Sequence, residues 1–247
     1  MELISVTAGD GPAEAHVARP SSGSGPGVLH FIDAIGVRPQ IASMAERIAS
    51  WGYVVLSPNV LYRNGSVEDV RPHVDLRAEG ARDAFFAQAM PRVRGLFAQD
   101  LSTDLDAYRD ALRGLDGVSD GPIGAVGYCM GARLATLFAC RHPQDVAAAA
   151  GFHGGGLATD DPGSPHRQLS TARAEFVYGH ADNDGSMPPE AVATLGEALA
   201  SAGLTASNEI YPDAPHGYTM ADTSMYQEAG AERAFSELEA LFARTLR

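Results

Sequence analysis

The 247-residue chain contains no lysine; all 18 of its basic residues are arginine. A Schiff-base lysine, a P-loop lysine and a kinase lysine are therefore excluded, and with them pyridoxal-phosphate chemistry, Walker-type NTP hydrolysis and protein phosphorylation. Acidic residues number 31, for a net charge of -13. That sign repels phosphate backbones and anionic bilayer surfaces, so neither nucleic acid nor membrane is expected as a partner. Cysteine is scarce as well, with only Cys129 and Cys140. On a single helix they would stand about 16 Å apart, too far for a disulfide. Neither has a His or Cys at zinc-ligand spacing, so no metal is expected. No stretch approaches the ~18 uninterrupted apolar residues of a membrane span, and the N-terminus MELISVTAGDGPAEAHVARP has no signal-peptide pattern. The expectation is a cytoplasmic, reduced protein.

The composition, 45% hydrophobic and 20% charged, is that of a globular chain, and 247 residues fit one domain, 1–247. Apolar runs bounded by Gly and Pro alternate with 3.6-periodic segments, the pattern of an α/β fold with a mostly parallel central sheet and helices on both faces. Strands are expected at 3–7, 14–19, 28–33, 53–58, 123–128, 146–152, 175–179 and 207–211. Helices are expected at 39–51, 76–90, 101–115, 130–141, 188–202 and 224–246. Residues 59–72 and 154–164 read as irregular, and SSGSGPG (21–27) reads as a loop because Gly and Ser cannot pack a core.

The most specific local signal is IGAVGYCMGARLA, in which Gly127, Cys129 and Gly131 form G-x-C-x-G between an expected strand and an expected helix. It is the nucleophile elbow of α/β-hydrolases with Cys in place of Ser. The turn strains its central residue and leaves no room for Cβ atoms two positions away. The thiol then projects at a helix N-terminus, with the N–H of Met130 facing a developing oxyanion. The triad order in this fold is nucleophile, acid, base. YGHADNDGSMP and YPDAPHGY follow successive late strands, which puts His216 where the base belongs and offers Asp182 or Asp184 as the acid.

HFIDAIG, WGYVVLSPNVL, VGYCMG, ADNDGSMP and YPDAPHGY occur in the order and spacing of the dienelactone hydrolase family, which the chain resembles from about Val28 to its C-terminus. The resemblance implies an α/β-hydrolase domain with little or no cap, no cofactor, and a catalytic set of Cys129, Asp184 and His216. Asp184 is favoured because the family's acid is followed four positions later by proline, here Pro188. Ala34 N–H would be the second oxyanion donor beside Met130. Asp33 stands where well-known members have a Glu that holds the resting thiol, and Met220 stands where they have an Arg that binds the substrate carboxylate.

The implied reaction is hydrolysis of a small ester or lactone. His216, oriented by Asp184, takes the thiol proton, and Cys129 attacks to give a thioester that water cleaves. Arg63, Arg92 and Arg94 are further candidates for a substrate anion. The alternative is a non-catalytic or redox-sensing protein of the same fold, with Cys129 as an oxidisable thiol. A monomer or small homo-oligomer is expected.

Overall fold

Buried apolar strands alternate with helices in both units into which the chain divides. One comprises the residues up to Asp120 with Asp222–Ser224, the other Gly121–Ala221 with the residues from Met225 onward. The computed structural model describes residues 2–246.

The first unit holds β1 (Glu2–Ala8), β2 (Gly11–Ala18), β3 (Gly27–Phe31), α1 (Pro39–Ser50), β4 (Val54–Pro58), α2 (Val67–Val70), α3 (Ala81–Phe97) and α4 (Ser102–Arg113). Strands β1 and β2 form an antiparallel hairpin, β2 pairs antiparallel with β4, and β4 runs parallel to β3. The exposed alternation in β1 and the wholly buried β3 and β4 follow from position, since parallel strands covered on both faces carry continuous apolar runs. Helix α1 starts on Pro39 and buries Ile41, Met44, Ala45, Ile48 and Ala49 on one stripe. Gly52 follows its C-cap with φ +107°, a conformation side chains resist.

Helix α3 departs from the expected 76–90. Gly80, at φ +72°, sets its start, and Pro91 lies inside it instead of ending it. Only Ala89 and Leu96 are buried on α3, so the sequence carries little apolar periodicity from which to place its ends. The region 59–72, expected to be irregular, contains a 3₁₀ turn at Tyr62–Asn64 and the short α2, opened by a reciprocal Ser66–Asp69 capping box.

The second unit holds β5 (Ile123–Tyr128), α5 (Met130–Arg141), β6 (Val146–Phe152), β7 (Glu175–His180), α6 (Pro189–Ser201), β8 (Ala206–Ile210) and α7 (Glu228–Thr245). Its four strands lie in sequence order, each parallel to the next. Residues 124 and 127 point to opposite faces of β5. A Cβ at Gly124 would meet Phe242 and Leu246 at the end of α7, whereas one at Gly127 would run into Gly131 and Ala132 of α5. Helices thus cover both faces.

The alanine-rich β6 has poor intrinsic strand propensity, but its small side chains let α5 close onto it. A Cβ at Gly151 would already lie 3.0 Å from that of Ala132. Helix α7 begins four residues later than expected, because the side chain of Gln227 accepts from Gly230 N–H and caps the helix there. The loop after β6 ends in a 3₁₀ segment, Pro165–Thr171, that the sequence pattern does not signal. Among the described residues no helix is long and apolar enough to cross a membrane.

Candidate active site

Cys129 sits between β5 and α5 with φ +54° and ψ -120°, outside the comfortable range for any residue with a side chain and costing on the order of 1–3 kcal/mol. The surroundings impose it. A Cβ at Gly127 would lie 2.0 Å from the carbonyl oxygen of Gly131, so only glycine permits the helix to start so close to the strand. Cys129 N–H donates to Phe152 O on β6 at 3.1 Å, and its carbonyl accepts from Ala132 N–H at 3.2 Å. Met130 is the first residue of α5, so its N–H has no partner within the helix and is available to an anion.

The loops after β7 and β8 bring two further side chains to the thiol. His216 Nε2 lies 3.1 Å from Cys129 Sγ, and His216 Nδ1 lies 2.6 Å from Asp184 Oδ2. The other carboxylate oxygen of Asp184 accepts from the backbone N–H and the hydroxyl of Ser186, at 2.8 and 2.7 Å. Asp182 is occupied elsewhere, its carboxylate accepting from Asp213 N–H at 2.9 Å. The side chain of Asp184 is 6% exposed and that of His216 is 24%. The set is sheltered but reachable.

Burial disfavours the charged form of both His216 and Asp184, and in both cases the partners outweigh it. For His216, the charge of Cys129 and the bond to Asp184 hold the pKa up to about 10. For Asp184, the bonds and charge of His216 and the donors of Ser186 hold it below the usual carboxylate range. The arrangement therefore favours an imidazolium facing the Cys129 sulfur, with the carboxylate behind it ionised.

The remaining candidates are in other surroundings. Asp33 is 2% exposed, and both of its carboxylate oxygens are held by Arg38, at 2.7 and 3.0 Å. Ala34, also 2% exposed, lies in the turn that follows β3. Arg63 is engaged by Asp104 and Asp10, and Arg92 donates to Val70 O at 3.1 Å. Met220 is 1% exposed, an apolar side chain in the second unit's core. Among the described residues no cluster of three or more His, Cys, Asp or Glu could hold a metal ion.

Two residues beside the set are not among the candidates above. Ser186 is a polar residue in the acid loop, and His153 follows β6 in FHGGG. Its ring packs edge-on against His216, with centroids 5.3 Å apart. Only their neighbours in space single them out.

The model of the dienelactone hydrolase family matches residues 13–246. A carboxymethylenebutenolidase of Rhodococcus opacus is 26% identical over 213 residues, covering 86% of this chain and 77% of the relative. Two solved structures share the fold. The dienelactone hydrolase-like promiscuous phosphotriesterase P91 from metagenomic libraries has a TM-score of 0.77 at 18% identity, over 100% of this chain and 98% of its own. The dienelactone hydrolase of Anabaena variabilis has a TM-score of 0.65 at 18% identity, with the same coverage. With a family match over nearly its whole length and this α/β architecture, the chain belongs to the dienelactone hydrolase family and is a hydrolase of that family.

Proposed function

We propose that the protein hydrolyses small esters or lactones through Cys129, His216 and Asp184 by way of a thioester on Cys129. The observation that carries the reading is the unbroken line of contacts from Sγ to Nε2 at 3.1 Å and from Nδ1 to Oδ2 at 2.6 Å. His216 takes the thiol proton, and Sγ adds to the carbonyl carbon. The oxyanion meets the N–H of Met130, and collapse expels the alkoxide, which leaves with the proton held on His216. In the second half His216 removes a proton from water. The resulting hydroxide displaces the thiolate from the acyl group and releases the acid. Asp184 stays ionised throughout and holds Nδ1–H, so that Nε2 remains the working nitrogen.

A thiolate is a good leaving group, which favours activated esters, enol lactones and thioesters over amides. The buried, apolar Met220 supports a neutral or weakly polar substrate, since at this place it offers no cation for a carboxylate. The unoxidised Cys129 that the reaction requires accords with a reducing compartment such as the cytoplasm. A redox-sensing role gains no support from Cys140, whose thiol is 4% exposed and pushed up to about 12 by burial.

Exposure to a panel of activated esters and lactones, quenched early and read by peptide mass spectrometry, tests the proposal. An acyl adduct is expected on Cys129, with Cys129→Ala lowering kcat by on the order of 10⁴-fold or more. Turnover that survives in Cys129→Ala sinks it.

A further inference from the structure

His153 is the first residue after β6, and several features of its environment are unusual together. It is wholly buried and held at φ +38°, a region that His enters more readily than most residues but at a cost. Its N–H donates to Gly179 O on β7 at 2.8 Å, continuing the sheet pattern past the strand end. The ring stands edge-on to Tyr218 at 5.0 Å and to His216 at 5.3 Å, with interplanar angles of 79° and 66°. Nε2 is bonded to Thr219 Oγ1 at 2.7 Å, and Nδ1 has no hydrogen-bond partner among the described residues. Burial, reinforced by the charge of His216, holds the imidazole well below its ordinary pKa, so it stays neutral.

Contacts at Nδ1 and Nε2 fix the two ends of the His216 ring but leave rotation about the line joining them open. A second aromatic ring meeting it edge-on closes that freedom, at the separation aromatic pairs prefer. The neighbour must also be uncharged, because a cation 5 Å from His216 would oppose the imidazolium that the reaction needs. Phe or Tyr would be neutral too, but His is better suited to a left-handed backbone and has a nitrogen that Thr219 can tether. Besides this ring, the groups seen facing His216 are Cys129, Asp184 and the Ser186 hydroxyl, whose Oγ lies 3.4 Å from Nδ1.

We propose that His153 is a positioning residue: its tethered ring is the wall that holds the His216 imidazole in line between Cys129 and Asp184. The proposal rests on the reading of Cys129 and His216 as nucleophile and base. Its test nevertheless includes a measurement that needs no turnover, the pH dependence of Cys129 alkylation by iodoacetamide, followed on the Cys129 peptide.

The variant His153→Asn removes the ring and tolerates the backbone conformation. It is expected to lower kcat/KM on a neutral activated ester by roughly 10- to 100-fold, mainly in kcat, as a displacement of about 1 Å does. It should also shift the alkylation profile. The variant His153→Phe restores a ring without the tether and should recover most of the rate and the wild-type profile.

A wild-type profile in His153→Asn, or an equal shift in both variants, overturns the proposal. If His153→Asn loses its tertiary circular dichroism, His153→Gln, which keeps a polar end within reach of Thr219 and removes the ring, decides. A shift in the same direction supports the proposal and an unchanged profile overturns it. Absence of ester turnover in the wild type would count against the proposed function, while the alkylation profiles would still decide the role of His153.

Discussion

In the first unit Arg38 lies between two carboxylates, Asp33 and Asp222; in the second His216 lies between a carboxylate, Asp184, and a thiol, Cys129. Both sets join acidic groups through a nitrogen-bearing side chain, and both shelter it from water. All five N–H donors of Arg38 are used, on Asp33, Asp222 and the carbonyl of Gly36. A guanidinium does not release its proton in a protein, so this set has nothing to transfer. It ties the turn after β3 through Gly36 O and Ile35 N–H. The His216 set has the opposite properties: a ring that can lose its proton, a sulfur that can form a bond, and a helix N-terminus beside it. Ionic connection alone therefore does not distinguish the two sets; a titratable link and a thiol within reach of it do.

The sharpest way to separate the sets is by charge-neutral substitution of the acids. Asp184→Asn is expected to reduce kcat by on the order of 10³- to 10⁴-fold, because the amide can hold His216 in the wrong tautomer. Asp182→Asn, at a residue whose carboxylate accepts from the N–H of Asp213, is expected to stay within about threefold, typical of surface changes worth under 0.5 kcal/mol. Steady-state kinetics on one activated ester compares them. A crippled Asp182 variant with an active Asp184 variant would reverse the assignment of the acid.

Breaking the saturated set should act on stability. Arg38→Met strands two carboxylates, Asp33 being almost fully buried, and should cost about 3–5 kcal/mol in urea unfolding. A variant as stable as the wild type at pH 7 would show that the three groups are not acting as a buried ion set.

A smaller effect distinguishes the sets by pH. The folded-state pKa of His216 is raised to about 10, against about 6.5 in an unfolded chain. Its stabilisation is therefore complete below about 6.5 and disappears as the pH rises through 10. Wild-type urea midpoints should fall across that window, and His216→Gln should flatten the fall. Equal slopes in the two proteins would contradict the raised pKa.

The smallest effect concerns the backbone strain at Cys129. Cys129→Gly removes the thiol and relieves a φ of +54°. It is expected to unfold at a slightly higher urea midpoint, by about 1 kcal/mol after the added chain entropy of glycine is set against the relief. A clear loss of stability would mean that the elbow is not strained.

Much of this was legible in the chain. The elbow could be read because G-x-C-x-G between a strand and a helix has a steric cause that is local, and the structure shows the collision of Gly127 with Gly131 that any side chain would provoke. The two late loops that carry Asp184 and His216 could be placed because each follows a strand end. The ends of α3 were less readable, since one buried face of two residues gives no period and Pro91 suggests a stop that packing does not respect.

By itself, then, the sequence determined the α/β alternation, the absence of lysine chemistry and the residues that stand at the elbow and the two late loops, because these depend on periodicity, composition and neighbours along the chain. Only the tertiary structure decided that Asp184, not Asp182, faces His216, that Arg38 claims both oxygens of Asp33, and that His153, which by sequence reads as a structural or solvated histidine, and Ser186 flank the imidazole and its carboxylate. Those outcomes depend on which groups meet after distant segments pack. A hydrogen bond or a ring contact is a relation between two positions in space, and spacing along the chain carries no record of it.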